Sequence, residues 1–81
     1  MITLKVVKRM NITKIQIQTE YITLGQFLKL ADIIQSGGMA KPFLGENDVF
    51  INEEFDVRRG RKLREGDIID IPDIGIFVIT R

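Results

Sequence analysis

At Thr23 the hydrophobic period of the chain changes, and that change does most to fix what the chain can fold into. Before it, Ile15-Gln16-Ile17-Gln18 alternates with a period of two, which places the isoleucines on one face of a strand over about 12 to 18. After it, Leu24, Phe27, Leu28, Ala31 and Ile34 recur at the spacing of a single helical stripe, with Lys29 and Asp32 elsewhere on the surface. The boundary carries its own start signal. Thr23 with Gln26 three residues later makes a capping box, and Ile22 with Phe27 stands at the staple positions around it. A helix over about 24 to 35 is predicted.

Ser36-Gly37-Gly38 ends that helix. Ser36 is placed to cap a second, short helix that carries Met39, Ala40, Phe43 and Leu44 inward, with Asn47 as a left-handed stop. Pro42 falls inside it, where a missing donor and a crowded ring predict a kink or a shortening. Beyond Asn47 the chain reads as strands: Val49-Phe50-Ile51, a turn near Asn52-Glu53-Glu54, and an extended piece over 55–58. A turn at Arg64-Glu65-Gly66-Asp67 leads into Ile68-Ile69-Asp70-Ile71, and Pro72-Asp73 precedes a last strand over 74–80. Residues 1–11, with Leu4, Val6 and Val7 among Lys5, Lys8 and Arg9, read equally as a further strand or as an extension. Two short helices packed against a small antiparallel β-sheet make an α+β fold. The 81 residues are expected to form one domain, 1–81.

Composition removes most chemistries. There is no cysteine and no histidine, so disulfides, thiolate metal sites and the commonest general base are all excluded. The carboxylates follow no calcium-loop spacing, and no metal or cofactor is expected. The longest apolar stretches fall far short of the roughly 20 residues of a membrane span. Without an apolar signal-peptide core at its start, the chain is expected to be cytoplasmic.

Charge is the other strong feature. Arg58-Arg59-Gly60-Arg61-Lys62-Leu63-Arg64 packs five cations into seven positions of a chain whose formal net charge is +1. Without those five, seven basic residues stand against 11 acidic ones, so the charge is polarised. A concentrated basic segment on a mildly acidic body attracts a polyanion. The plainer reading is a solvated turn whose arginines pair with Asp56, Glu65 and Asp67. Five cations around one glycine, with Leu63 as an apolar anchor, favour the polyanion.

Three separated stretches carry a resemblance. Ile22-Thr23-Leu24-Gly25-Gln26-Phe27-Leu28-Lys29, Ser36-Gly37-Gly38-Met39-Ala40-Lys41 and Arg58-Arg59-Gly60-Arg61-Lys62-Leu63 resemble, in order and spacing, the S-four-type RNA-binding domain, within it the small stand-alone bacterial subgroup of YaaA-type proteins. The core motif covers about 22 to 71. The resemblance implies an L-shaped motif of two helices and a hairpin, the αL motif, whose basic surface packs on structured RNA, ribosomal or transfer RNA, possible settings being ribosome assembly or translation on a ribosomal subunit or assembly particle. It implies no catalytic domain, and hence no enzyme. By position it implies contacts from Lys29, Ser36, Lys41 and Asn52 and from Arg58 through Lys62. The chain departs from the broader pattern at Thr23, Gly25, Gln26, Gly37 and Gly38, where cations and an aspartate are usual, and its hairpin reads Asn52-Glu53 in place of Asn-Gly.

On this reading Arg58, Arg59, Arg61 and Lys62 clamp RNA phosphates, and Gly60 lets the backbone turn so that the cations diverge. Lys29 and Lys41 extend the surface across the helices. Ser36, Gly37 and Gly38 are structural first, with backbone amides open to a phosphate second. Tyr21 and Phe55 are read as core or edge packing, not as stacking platforms. The rival is a protein-interaction module that docks its basic loop on an acidic partner.

Overall fold

A computed structural model describes residues 12–81; the reading of residues 1–11 as strand or extension lies outside the described residues. Strand β1 is Ile12–Gln16, β2 is Ile22–Thr23, and helix α1 is Leu24–Leu30. A 3₁₀ turn, Gly37–Met39, runs into α2, Ala40–Glu46. The remaining strands are β3 (Phe50–Ile51), β4 (Glu54–Phe55), β5 (Lys62–Leu63), β6 (Ile68–Ile71) and β7 (Gly75–Thr80). Five of them form a sheet in the order β1-β7-β6-β3-β4, and β2 pairs with β5 in a separate ribbon. The architecture is α+β. Its sheet is mixed and not wholly antiparallel, because β1 runs parallel to β7 with Ile12 opposite Ile76.

Alternation along the strands makes one face of the sheet apolar and buried. Ile51, Ile69, Ile71, Phe77 and Ile79 point to the core, and Leu24, Phe27 and Leu28 of α1 meet them there with Ala40 and Leu44 of α2. Phe27 and Phe77 stack edge to face, 5.3 Å between ring centroids. Each such burial contributes about 1.5–3 kcal/mol, so this contact ties α1 firmly to the last strand.

The start of α1 follows the sequence. Thr23 Oγ1 accepts the Gln26 N–H at 3.2 Å, and Gln26 Oε1 accepts the Thr23 N–H at 2.8 Å. Its end does not, because the helix stops at Leu30 and not near residue 35. Asp32 takes a left-handed conformation (φ 62), its N–H donates to the Lys29 carbonyl, and the Ile33 N–H donates to the Leu28 carbonyl at 2.9 Å. These two bonds are a Schellman stop. An aspartate fills the glycine's place in it, which hid it in the sequence. Ile34 still reaches the core, at 2% exposure.

The second helix differs at both ends. The Ser36 hydroxyl makes no capping bond; its carbonyl accepts the Met39 N–H at 3.0 Å instead. Met39 is exposed, not inward. Pro42 is the third residue of α2, in the first turn where no intrahelical partner waits for its N–H, so neither kink nor shortening follows. Asn47 is extended (φ −132) and caps through its side chain, donating to the Phe43 carbonyl at 2.9 Å.

Candidate nucleic-acid interface

The basic segment occupies the connection from β4 into β5, and its backbone is fastened to the start of α1. The Arg61 carbonyl accepts the Leu24 N–H at 2.7 Å, and the Arg59 carbonyl accepts the Gly25 N–H at 2.9 Å. With Thr23 capping Gln26, the first donors of the helix are all used. Leu63 is fully buried in the core cluster, so the apolar anchor read from the sequence is real. The loop is held by backbone on either side of Gly60 and beyond it by a core residue.

The side chains are held as well. Asp56 Oδ1 accepts the Arg58 N–H and Nε, both at 3.0 Å, while Oδ2 accepts Arg58 Nη2 and Arg61 Nη1, both at 2.8 Å. The Asp56 side chain is only 9% exposed. The Arg58 guanidinium holds its carboxyl well below the usual carboxylate range; burial opposes that shift, and the Arg58 N–H and Arg61 reinforce it. The plainer reading of the basic run is therefore correct for two of its five cations. Glu65 and Asp67 pair with none of them among the described residues; Asp67 accepts the Arg64 N–H at 2.7 Å instead.

Arg59, Lys62 and Arg64 have no carboxylate partner among the described residues. The stem of Arg59 lies over Gly25, where an added Cβ would stand 2.7 Å from Arg59 Cγ. Only glycine admits that approach. Lys62 Nζ stands 5.0 Å and Arg64 Cζ 5.3 Å from the centroid of the Tyr21 ring.

Gly60 lies between two shallow depressions. One, of about 470 Å³, is lined by Arg58, Gly60, Arg61, Lys62, Arg64 and Asp67. The other, of about 440 Å³, gathers Lys29, Gly37 and Arg59 around Thr23, Gly25, Gln26 and Ala40. Gly60 does not take a positive φ, and nothing stands within 4 Å of its missing Cβ. The turn closes by an ordinary bond, Arg61 N–H to the Arg58 carbonyl at 3.1 Å. Gly60 lines both depressions, and it does not serve to bend the chain.

Of the residues singled out from the sequence, the fold thus joins Arg58, Arg59, Arg61, Lys62, Lys29 and Gly37 on one surface. Ser36, Gly38 and Lys41 are exposed nearby but line neither depression. Gly37 and Gly38, like Gly60, have ordinary φ and open space. Asn52 is a structural staple: its side-chain amide donates to Asp67 Oδ1 at 3.0 Å and accepts the Ile68 N–H at 3.0 Å. It spans a two-residue turn with φ 51 at Asn52 and φ 74 at Glu53, the mirror-image turn that suits a tight hairpin.

Sequence reasoning missed Tyr21, and it counted Arg64 without placing it. The signal lay in pairing. Ile22 faces Leu63 and Thr23 faces Lys62, which sets Tyr21 and Arg64 next along the same ribbon, but strands of two residues leave no periodicity to read.

Comparison with known proteins adds two findings. The model of the S4 domain family matches residues 15–79. A curated relative from Bacillus subtilis (strain 168), named probable ribosome maturation protein RlbA, is 63% identical over 66 residues, which make up 82% of this chain and 93% of the relative. No solved structure matches.

Proposed function

The chain belongs to the S4 domain family, and from that premise we propose that it is a non-catalytic protein that binds structured RNA through the basic surface around Gly60. The observation that carries this reading is the scaffolded loop. Its backbone carbonyls are bonded to the start of α1, and Arg59, Lys62 and Arg64 project from it without a carboxylate partner among the described residues. A polyanion meets cations whose positions are already set, and less ordering opposes binding.

Arg59, Lys62 and Arg64 supply the principal phosphate contacts, with Lys29 beside Arg59 in the neighbouring depression. Arg58 and Arg61 share the single charge of Asp56, so together they present about one net positive charge. Such contacts position a protein by the shape and backbone of RNA and do not read its bases. The relative's name supports a maturing ribosomal particle as the setting and ribosomal RNA as the ligand. The protein then works in the cytoplasm, as one module, with no cofactor.

The test is recovery from cells under nuclease. Ribosomal RNA should copurify with the protein, and its associated proteins should leave with it after RNA digestion. A partner that persists after digestion would instead establish direct docking on an acidic protein, and enrichment of transfer RNA alone would move the ligand away from the ribosome.

A further inference from the structure

We propose that Tyr21, Lys62 and Arg64 form a distinct phosphate subsite, in which Tyr21 is a positioning residue that holds the two cations side by side; the proposal rests on the RNA-binding reading above. The β2–β5 ribbon builds it. Leu63 turns into the core opposite Ile22, so Lys62 and Arg64, one residue to either side, emerge together on the outer face. Tyr21 lies on that face, opposite Arg64 and diagonal to Lys62 by continuation of the register. Tyr21 is 38% exposed, and its ring has both cations near it, at 5.0 and 5.3 Å. The Thr19 hydroxyl donates to the Tyr21 carbonyl at 2.8 Å, fixing the approach to the strand.

The same two cations line one depression, and the carboxylate that borders it is already engaged. Asp67 Oδ2 accepts the Arg64 N–H at 2.7 Å, and Oδ1 accepts the Asn52 amide at 3.0 Å. Lys and Arg side chains lose much rotamer freedom when they are immobilised on a ligand. A ring that already gathers their stems removes part of that loss before the phosphate arrives. This is a division of labour within the basic run. Asp56 orders one pair of cations by neutralising them, whereas Tyr21 orders another pair and leaves its charge intact.

A cycle of variants, each checked by thermal melting, tests the proposal with a ribosomal RNA fragment and with inorganic pyrophosphate as probes. Tyr21→Leu should weaken RNA binding about three- to tenfold, and Tyr21→Phe, which keeps the ring, by less than about twofold. In a Lys62→Gln/Arg64→Gln background, Tyr21→Leu should have no further effect. In the free protein, nuclear magnetic resonance should show ring-current upfield shifts of the Lys62 ε and Arg64 δ protons, retained in Tyr21→Phe and lost in Tyr21→Leu. Equal weakening in both backgrounds would overturn the proposal, as would absence of the ring-current shifts. If RNA fails to bind the native protein while pyrophosphate still perturbs Lys62 and Arg64, the subsite stands and the RNA reading falls. If neither probe acts, both fall.

Discussion

Arg59 and Gly25 are joined twice: the arginine carbonyl accepts the glycine N–H at 2.9 Å, and the arginine stem fills the space where a Cβ of residue 25 would stand, 2.7 Å from Cγ. The absent side chain of one residue sets the direction of the other. Gly25→Ala should therefore displace Arg59 with little effect on melting, because the obstructing atom belongs to a flexible side chain and alanine favours the helix. In filter binding with a ribosomal RNA fragment, Gly25→Ala should lose nearly as much affinity as Arg59→Ala. The double variant should be no weaker than Arg59→Ala alone.

The three cations of the loop without a carboxylate partner among the described residues should register in the salt dependence of binding. Arg59→Ala, Lys62→Ala and Arg64→Ala are each expected to lower the log–log slope by nearly one unit, the signature of one phosphate contact. Arg61→Ala should change it by less than about half a unit, since Arg61 is paired with Asp56 at 2.8 Å, and should lower the melting temperature instead. Equal slopes for all four variants would remove the distinction between paired and unpaired cations.

Asp56 sets an acid limit to stability. Folding depresses its carboxyl below the ordinary value of 3.8, so the folded state favours the ionised form. Its contribution is present above that value and is lost as the pH falls through it toward the depressed folded value. Urea midpoints measured from about pH 6 down to about pH 2.5 should fall for the native chain, and fall less steeply for Asp56→Asn. At neutral pH the same variant should be less stable by about 1–2 kcal/mol, the scale of losing charge-assisted hydrogen bonds.

The hairpin at Asn52-Glu53 contains a correctable strain. Glu53 sits at φ 74, where a side chain costs about 1 kcal/mol and glycine costs none. Glu53→Gly should raise stability by about that amount in chemical denaturation. Glu53→Gln, which removes the charge and keeps the Cβ, should not.

Gly37 and Gly38 separate fold from surface. Both have open space and ordinary φ, but only Gly37 lines the depression beside Arg59 and Lys29. Gly37→Leu and Gly38→Leu should both melt near the native temperature. Only Gly37→Leu should weaken RNA binding.

The parts legible in the sequence were those with a local cause. The capping box at Thr23, the strand Ile68 to Ile71 after its Gly-Asp turn and the anchor at Leu63 each follow from close neighbours in the chain. What escaped was decided by partners far along the chain or by residues in unusual places. The stop at Asp32 uses a left-handed aspartate where a glycine would have announced it. The sequence offers Asp56, Glu65 and Asp67 as partners for the arginines, but only the bent loop selects Asp56 for Arg58 and Arg61. Tyr21 looked like core or edge packing because its neighbours Lys62 and Arg64 are brought to it only by the β2–β5 pairing.

The parallel pairing of β1 with β7 also sets an order of events during synthesis. Ile12 has its ladder partner at Ile76, so β1 leaves the ribosome early and must wait for nearly the whole described chain before it can join the sheet. The β2–α1–β5 unit that bears the basic loop closes over a shorter stretch and can assemble first. During that interval the half-buried Ile15 and buried Ile17 lack their final cover, which makes the arrival of the last strand the step that commits the fold.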